Sequence, residues 1–306
     1  EDMTPCIACL QGCVANVYAG NPVCCLTNPF LGHEAEPLEK AEEPKKVMVI
    51  GGGVAGLSAA FIAKERGHEV TLYEAGDILG GNMRLAAYPP GKGDITNMIR
   101  SYIHRCQKDG VKIVMNCEVT PELIKEEKPD SVIIATGSKT LILPIEGIDN
   151  PAIIHGSDLL DGKRAAGKKV LVVGGGMVGC ETAAFLGEQE HDVTVIEFRD
   201  TVGADVIHEH RVYLMRDFED YGIKEITGAK VCKFYEDGVE YETADGVRHE
   251  SRGYDSVILS MGFRNYNPLE EKIKDLVPET HVIGDAIRAR RALDATKEAY
   301  EVASRI

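Results

Sequence analysis

The amino-acid sequence predicts an α/β protein with two doubly wound domains, the second inserted in the first. This prediction rests on a pattern that occurs twice. Residues 45–77 read as an apolar strand, a glycine-rich turn, a helix and a second strand, KKVMVIGGGVAGLSAAFIAKERGHEVTLYEAGD. The pattern returns without a gap 123 residues later, in residues 168–200, as KKVLVVGGGMVGCETAAFLGEQEHDVTVIEFRD. Because a strand–helix–strand unit of this kind builds a parallel sheet, two such units indicate two domains of similar design.

Three further apolar runs complete the predicted sheets. Each run is rich in Val and Ile and ends in glycine, as expected of a strand that is covered on both faces. They are SVIIATG at residues 131–137, DSVILSMG at 255–262 and HVIG at 281–284, and a closing helix is expected over 286–306. These elements predict a first domain of residues 45–150 and 265–306, and a second domain of residues 151–264.

The N-terminal segment, residues 1–35, has neither helical nor strand periodicity and is followed by a charged linker with two prolines, EPLEKAEEPK. Five of the nine cysteines lie in it: Cys6, Cys9, Cys13, Cys24 and Cys25. An odd count in a chain without an export signal favours metal or cluster ligation over a disulfide framework. The other four are expected to be small buried hydrophobic residues: Cys106, Cys117, Cys180 and Cys232.

Composition excludes several classes of partner. The 306 residues include 34 Lys and Arg against 49 Asp and Glu, a net charge of −15 that repels nucleic acids and anionic lipids. No apolar run approaches the ~20 residues of a membrane helix. The N-terminus lacks the basic and apolar regions of a signal peptide. We therefore expect a cytoplasmic protein with no membrane or nucleic-acid partner.

The first glycine-rich turn has the spacing G-x-G-x-x-G, formed by Gly51, Gly53 and Gly56 between a strand and a helix. The first glycine permits a tight turn, the second lets the backbone approach a pyrophosphate, and the third allows close packing of helix on strand. Glu74 ends the next strand, where a carboxylate can accept hydrogen bonds from ribose hydroxyls. This combination predicts a Rossmann-like dinucleotide-binding domain.

The second turn repeats the motif with Gly174, Gly176 and Gly179, and Glu197 takes the place of Glu74. A carboxylate at this strand end repels the 2′-phosphate of NADPH, so the sequence predicts NADH, with NADPH less favoured. Arg199, two residues further on, acts against that preference. Two such folds in one chain indicate two dinucleotides.

The first turn, Ala135-Thr136-Gly137 at a strand end and Gly284-Asp285 near the C-terminus together resemble the flavoprotein superfamily with two dinucleotide-binding domains. In that superfamily the discontinuous domain binds FAD and the inserted domain binds NAD(P)H. The resemblance implies FAD contacts from Gly51, Gly53, Gly56, Glu74, Gly81, Arg84, Thr136, Gly137, Gly284 and Asp285. It implies contacts with the nicotinamide dinucleotide from Gly174, Gly176, Gly179, Glu197 and Gly262.

Some of these polar residues have a second interpretation. The carboxylate of Asp285 can accept a hydrogen bond from a flavin ribityl hydroxyl, and it can also cap a helix N-terminus. Arg84 and the pair Arg290 and Arg291 can contact a cofactor or form surface ion pairs. Both interpretations stay open at the level of sequence.

The cysteine spacing narrows the resemblance. The pattern Cys6-x2-Cys9-x3-Cys13-x11-Cys25, followed by LTNP, is similar to the cluster segment of 2,4-dienoyl-CoA reductase, 2-enoate reductase and trimethylamine dehydrogenase. In that family four thiolates bind a [4Fe–4S] cluster. The resemblance implies the same for Cys6, Cys9, Cys13 and Cys25, with Cys24 as an alternative to its neighbour. Structural zinc is the main competing interpretation, although zinc prefers two separated C-x2-C pairs.

The chain departs from this family in one respect: it has no (β/α)8 barrel, the domain that carries FMN and the substrate there. We expect either the C-terminal part of a longer protein or a subunit whose partner carries the barrel. The family's proton donor lies in the barrel, so no catalytic side chain is predicted here. Triad or metal spacing is absent among six of the nine histidines: His68, His155, His191, His208, His210 and His281.

The leading hypothesis is the electron-transfer portion of an NADH-dependent flavin and iron–sulfur oxidoreductase. Electrons would pass from NADH through FAD and the cluster to FMN in the barrel, which reduces the C=C bond of an enoate or enoyl-CoA. One alternative is a free-standing NADH:acceptor oxidoreductase subunit that serves a partner protein. Another is a non-catalytic scaffold that binds nucleotides. The face that a barrel would cover is also a candidate surface for a homo-oligomer.

Overall fold

The computed structural model describes residues 3–306, which fold into two compact units. Unit 1 comprises the residues up to Ala87, together with Gly93–Lys139 and Arg264–Ile306. Unit 2 comprises Tyr88–Lys92 and Thr140–Phe263. The first domain, predicted to run to residue 150, therefore ends earlier. Residues 140–150 belong to unit 2 because Ile145 and Ile148 pack against its core.

The strands are β1 (Lys46–Ile50), β2 (Glu69–Tyr73), β3 (Lys112–Val114), β4 (Ser131–Ile134), β5 (Ser138–Thr140), β6 (Ile154–His155), β7 (Lys169–Val173), β8 (Asp192–Ile196), β9 (Lys224–Ile226), β10 (Lys230–Tyr235), β11 (Gly238–Glu242), β12 (Arg248–Arg252), β13 (Ser256–Leu259), β14 (Phe263–Asn265) and β15 (Glu279–Val282).

The helices are α1 (Val14–Tyr18), α2 (Val54–Glu65), α3 (Asn82–Leu85), α4 (Ile95–Lys108), α5 (Pro121–Glu127), α6 (Gly156–Leu160), α7 (Met177–Glu188), α8 (His208–Asp220), α9 (Glu270–Ile273) and α10 (Ala292–Ala303), with a 3₁₀ turn at Gly284–Ala286. Across residues 3–306, no helix combines the length and the apolar character that crossing a bilayer requires.

Unit 1 is built on a parallel five-stranded sheet in the order β15-β4-β1-β2-β3. Alternate residues of β1 enter two different cores, because successive side chains of a strand point to opposite faces. Val47 and Val49 pack in the core that contains Phe61 of α2, whereas Met48 and Ile50 pack in the opposite core. Both faces of the sheet are therefore covered by helices, as the sequence predicts.

Unit 2 is built on a second parallel sheet, in the order β6-β13-β7-β8-β9. Val170 and Val172 of β7 pack with residues of α7 and α8. Leu171 and Val173 face the other way, into a core shared with Phe234 of the antiparallel sheet β10-β11-β12. Unit 2 thus differs from the predicted doubly wound domain, because a second sheet rather than helices covers one face.

Two buried apolar side chains and one buried hydroxyl are among the contacts that attach the N-terminal segment to unit 1. Ile7 and Leu26 are buried in the core that contains α2 and α4. The Tyr102 hydroxyl donates to the carbonyl oxygens of Leu26 and Thr27, at 3.1 and 3.3 Å. Burial first, and then the nearby Cys25 sulfur, hold the pKa of Tyr102 well above its usual value, so this hydroxyl remains protonated and able to donate.

Removal of this hydroxyl tests the attachment. We expect Tyr102→Phe to lower the free energy of unfolding by about 1–2 kcal/mol, because two carbonyl groups lose a buried donor. Urea denaturation measures the change. Tyr213→Phe, at an exposed ring, is the control and should shift stability by less than about 0.5 kcal/mol. An equal effect of the two variants would contradict the anchoring role.

Candidate functional site

In unit 1, a glycine turn brings the N-terminus of α2 to the carboxyl edge of the sheet. Gly51 has a φ of +108°, and a Cβ on it would lie 2.3 Å from the carbonyl oxygen of Ala135. A Cβ on Gly56 would lie 1.9 Å from the carbonyl oxygen of Gly51. Helix and strand therefore approach so closely that only glycine fits at these two positions.

A second glycine loop lies beside the first. The Gly80 amide donates to the carbonyl oxygen of Gly52 at 2.8 Å, and Gly53 forms a parallel bridge with Gly80. A Cβ on Gly81, whose φ is +54°, would lie 3.2 Å from the Gly53 Cα. The N-terminus of α2 is thus bordered by bare backbone on both sides, which is the shape and polarity that a pyrophosphate requires.

Glu74 holds these loops together. One of its carboxylate oxygens accepts from the Gly52 amide and the other from the Gly76 amide, both at 2.7 Å. The sequence predicts ribose contacts for this residue but does not predict these two bonds. Each carboxylate oxygen has a second lone pair, so the backbone bonds are compatible with ribose binding.

Other predicted FAD contacts lie at the ends of neighbouring strands of the same sheet. Asp285 accepts from the Ser138 hydroxyl at 2.9 Å and from the Arg290 amide at 3.0 Å. Gly137 and Gly284 have φ values of +74° and +62°. The Thr136 hydroxyl donates to the carbonyl oxygen of Tyr266. Asp285 therefore lies next to Ser138, which is a few residues beyond the end of β4.

The structure shows partners for some of the polar residues that have two interpretations. The N-cap of α10 is Arg291, whose amide donates to Asp294, so Asp285 does not cap that helix. Arg290 forms an ion pair with Glu298 at 2.5 Å, which is the surface interpretation. Arg84 lies on α3, three residues after Gly81.

Unit 2 repeats the turn geometry of unit 1. Gly174 has a φ of +106°, and a Cβ on it would lie 2.4 Å from the Ser260 carbonyl oxygen. A Cβ on Gly179 would lie 1.8 Å from the Gly174 carbonyl oxygen. Glu197 accepts from the amides of Gly175 and Arg199, at 2.6 and 2.9 Å. The second turn therefore brings the N-terminus of α7 to the carboxyl edge of its sheet, as the first turn does for α2.

The remaining predicted residues of unit 2 lie around this turn. Gly262 follows β13, has a φ of +99° and faces open space, so a ligand can approach its backbone. The backbone of Gly176 leads into α7 as its N-cap, in extended conformation.

Two functional candidates of unit 2 escape sequence analysis. Asp205 accepts a hydrogen bond from the Met177 amide at the first turn of α7, at 2.8 Å. Glu181 of α7 is buried and forms an ion pair with Lys92. Sequence separations of 28 and 89 residues carry no local pattern. One signal was available: Asp205 lies 123 residues after Asn82, the same offset that relates the two glycine turns.

The cysteine segment brings four sulfurs into one electrostatic environment. Burial raises the pKa of the Cys9 thiol, and a hydrogen bond from the Gln11 backbone opposes that rise. The sulfurs of Cys25, Cys13 and Cys6 raise it further by charge repulsion. The sulfurs of Cys6, Cys13 and Cys25 therefore all act on the Cys9 thiol.

Backbone geometry in this segment also suits a cluster of thiolates. The amide of Ala8 donates to the Cys6 sulfur at 3.4 Å. Ala8 and Leu10 adopt φ values of +51° and +54°, which are unusual for residues with a Cβ. The local chain is thus bent, and the Ala8 amide points toward the Cys6 sulfur.

Cys24 differs from its neighbour. Its sulfur accepts from the Asn16 side-chain amide at 3.4 Å, and its own amide donates to the Gly12 carbonyl oxygen at 2.9 Å. It is not among the sulfurs that shift the Cys9 pKa. The Cys25 sulfur instead lies 3.3 Å from the Thr27 hydroxyl. The two neighbouring cysteines thus have different hydrogen-bond partners.

Within residues 3–306, no three His, Cys, Asp or Glu side chains are arranged to hold a single metal ion. Tetrahedral zinc with Zn–S bonds of about 2.3 Å requires its sulfurs within about 3.8 Å of one another. The described cysteines therefore do not form a preorganised single-ion site.

The four scattered cysteines divide into two kinds. Cys106 and Cys180 are buried, as predicted, and burial raises the pKa of each thiol to about 12. Cys117 and Cys232 are only partly buried, which differs from the prediction. Both lie at the edges of their units, Cys117 beyond β3 and Cys232 on β10 of the antiparallel sheet.

Comparison with known proteins identifies the class. Residues 45–281 match the pyridine nucleotide-disulphide oxidoreductase family. The chain therefore belongs to that family, which implies binding of FAD and NAD(P)H. The match covers both glycine turns and both parallel sheets.

Individual relatives place the chain more narrowly. The metal reductase of Desulforamulus reducens is 33% identical over 337 residues, covering 99% of this chain and 50% of that protein. The cinnamate reductase of Clostridium sporogenes is 34% identical over 310 residues, covering 100% and 46%. A solved structure of 2-naphthoyl-CoA reductase with 2-naphthoyl-CoA has a TM-score of 0.94 at 33% identity, covering 100% of this chain and 47% of that one.

These relatives confirm the predicted resemblance to the enoate reductase and dienoyl-CoA reductase family. They also confirm that the chain is of the oxidoreductase class. The chain spans about half the length of the relatives it matches, and that half is their FAD- and NAD-binding part.

Proposed function

We propose that this chain is the electron-transfer portion of an NADH-dependent flavin and iron–sulfur oxidoreductase. The observation that carries the proposal is the presence of two equivalent glycine cradles in one chain. A Cβ would lie within 2 Å of a backbone oxygen at Gly56 and at Gly179 alike, so each cradle requires bare backbone. We assign FAD to unit 1 and NADH to unit 2.

The residues of unit 1 bind and orient the flavin dinucleotide. Backbone amides at the N-terminus of α2 face the pyrophosphate, and the helix dipole favours its negative charge. Glu74 fixes both glycine loops and accepts from a ribose hydroxyl. Asp285, held by Ser138, accepts from a ribityl hydroxyl at the neighbouring strand end. When bound, a flavin supplies exchange between two-electron and one-electron chemistry, and an iron–sulfur cluster supplies one-electron transfer.

In unit 2, the amides at the N-terminus of α7 take the corresponding role toward the NADH pyrophosphate. Glu197 holds its loop by accepting from Gly175 and Arg199. Its carboxylate then faces the adenosine ribose and disfavours a 2′-phosphate. Arg199 makes this bond with its backbone amide. The bond therefore gives no information on whether the Arg199 side chain contacts the dinucleotide.

The rest of the reaction requires a part that this chain does not contain. We propose a domain or subunit that carries FMN in a barrel and that reduces the C=C bond of an enoate or enoyl-CoA. Two relatives of this chain are named cinnamate reductase and 2-naphthoyl-CoA reductase, and each is about twice as long as the matched part. We also propose a cytoplasmic location, because the thiols that would hold a cluster must stay reduced.

Anaerobic mixing with NADH tests the function. After reconstitution with FAD, iron and sulfide, we expect NADH to bleach the flavin absorbance of the isolated chain and to support reduction of an artificial dye. An enoyl-CoA substrate should leave the reduced flavin unoxidised, because the barrel is absent. Lack of bleaching would contradict the proposal, and so would stoichiometric reoxidation by the enoyl-CoA.

Substitution of single cysteines tests the cluster assignment to Cys6, Cys9, Cys13 and Cys25. We expect Cys25→Ser to remove most of the iron and of the broad cluster absorbance, because a thiolate ligand is lost. Cys24→Ser is the matched control, because the Cys24 sulfur accepts a hydrogen bond from the Asn16 side chain. This variant should retain both the iron and the cluster absorbance. Zinc at about one ion per chain, with no iron, would overturn the assignment.

The choice of dinucleotide depends on the Glu197 carboxylate. We expect Glu197→Ala to lower kcat/KM for NADH about tenfold and to raise the ratio of NADPH to NADH efficiency, because the repulsion of the 2′-phosphate is removed. Steady-state dye reduction with each dinucleotide measures both values. If the efficiencies fell in equal proportion, Glu197 would only hold its loop. A wild type that prefers NADPH would assign the choice to Arg199.

A further inference from the structure

A carboxylate lies at the helix N-terminus where the NADH pyrophosphate would bind in unit 2. One oxygen of Asp205 accepts from the amide of Met177, the first residue of α7, at 2.8 Å. Its other oxygen lies 3.4 Å from the position that a Cβ on Gly176 would take. Asp205 thus lies against the second glycine of the G-x-G-x-x-G turn.

Unit 1 has a corresponding loop with an uncharged residue in the place of Asp205. The two loops have equal lengths, since Gly80 donates to Gly52 at 2.8 Å and Gly203 donates to Gly175 at 2.7 Å. At the offset of 123 residues, Asp205 corresponds to Asn82.

The two corresponding side chains make different contacts. The side-chain amide of Asn82 is directed to Ser138, at 3.3 Å from its hydroxyl and 3.4 Å from its carbonyl oxygen. The carboxylate of Asp205 is directed to the helix amide at Met177. Of the two loops, the one in unit 2 brings an anion to its helix.

Two anions cannot occupy this position together. The N-terminus of α7 carries partial positive charge and attracts a carboxylate or a phosphate. The Met177 amide is a single donor, and a carboxylate beside a pyrophosphate adds repulsion between like charges. Binding of the dinucleotide therefore requires the carboxylate to leave. Asp205 is at the surface, so it can turn into water without becoming a buried charge.

We propose that Asp205 is a displaceable cap that competes with the dinucleotide pyrophosphate at unit 2. The proposal rests on the assignment of NADH to that unit. Only molecules with an open cap bind the dinucleotide. The apparent Kd is therefore the intrinsic Kd divided by the fraction of molecules in which the cap is open. The dinucleotide of unit 2 is thereby kept exchangeable, as a substrate must be. Asn82 imposes no such competition in unit 1, where a resident cofactor must stay bound.

The test compares ligands with and without a pyrophosphate. Isothermal titration of the full chain, saturated with FAD, uses ADP-ribose and adenosine as probes. We expect Asp205→Asn to bind ADP-ribose about tenfold more tightly than the wild type and adenosine equally. Asparagine retains an oxygen that can accept from the Met177 amide, so the helix keeps its cap while the charge is removed.

Asp200→Asn is the matched control, because it removes the same charge from the same loop. It should leave the affinity for ADP-ribose within about twofold. Unchanged or weaker ADP-ribose binding by Asp205→Asn overturns the cap. An equal gain for adenosine also overturns it, because that result indicates a general structural change. Failure of both the wild type and Asp205→Asn to bind ADP-ribose overturns the assignment of the dinucleotide to unit 2 and the cap with it.

The reciprocal variant provides a second measurement. Asn82→Asp places a carboxylate at the corresponding position of unit 1, and we expect it to speed FAD release about tenfold. Where the fluorescence of FAD is quenched in the bound state, the rise in flavin fluorescence with time measures the release rate. FAD release at the wild-type rate would contradict competition between carboxylate and pyrophosphate at these helices. This measurement does not depend on whether unit 2 binds NADH.

Discussion

The close approach of a helix to the strand before it determines the geometry of both units. Where a Cβ would meet a backbone oxygen at 1.9 Å at Gly56 and 1.8 Å at Gly179, no residue but glycine allows the contact. Because the helix is held there, its N-terminal amides face the carboxyl edge of the sheet. The glutamates that end the next strands then find backbone donors within reach, so Glu74 and Glu197 tie each turn to its neighbouring loop.

This local contact also explains what the sequence could predict. The turns, their flanking strands and the terminal glutamates lie within about 33 consecutive residues each, so spacing alone identifies them. The antiparallel sheet β10-β11-β12 escaped prediction although Asp-Gly dipeptides at 237–238 and 245–246 mark its two hairpins. Its strands carry many charged side chains, and their apolar face, with Phe234 and Val239, becomes evident only when packed on the parallel sheet.

Contacts between distant parts of the sequence lay beyond prediction for a different reason. The bond of Asp205 to Met177 and the ion pair of Lys92 with Glu181 join residues that no periodicity relates. The partial exposure of Cys117 likewise depends on its place beyond the outer strand β3. The residue type alone does not predict that place. Local chemistry was therefore predictable, whereas the partners of individual charges were decided by tertiary packing.

The charge balance of the chain gives the glycine turns their importance. With a net charge of −15, the protein cannot attract a polyanionic dinucleotide by its overall field. Attraction must come from oriented amides at two helix N-termini, which act only at short range. At such a site one nearby carboxylate has a large relative effect, because it lies at the same short range as the amides. On the proposed assignment of FAD to unit 1 and NADH to unit 2, the difference between Asn82 and Asp205 distinguishes a cofactor that stays bound from a substrate that leaves.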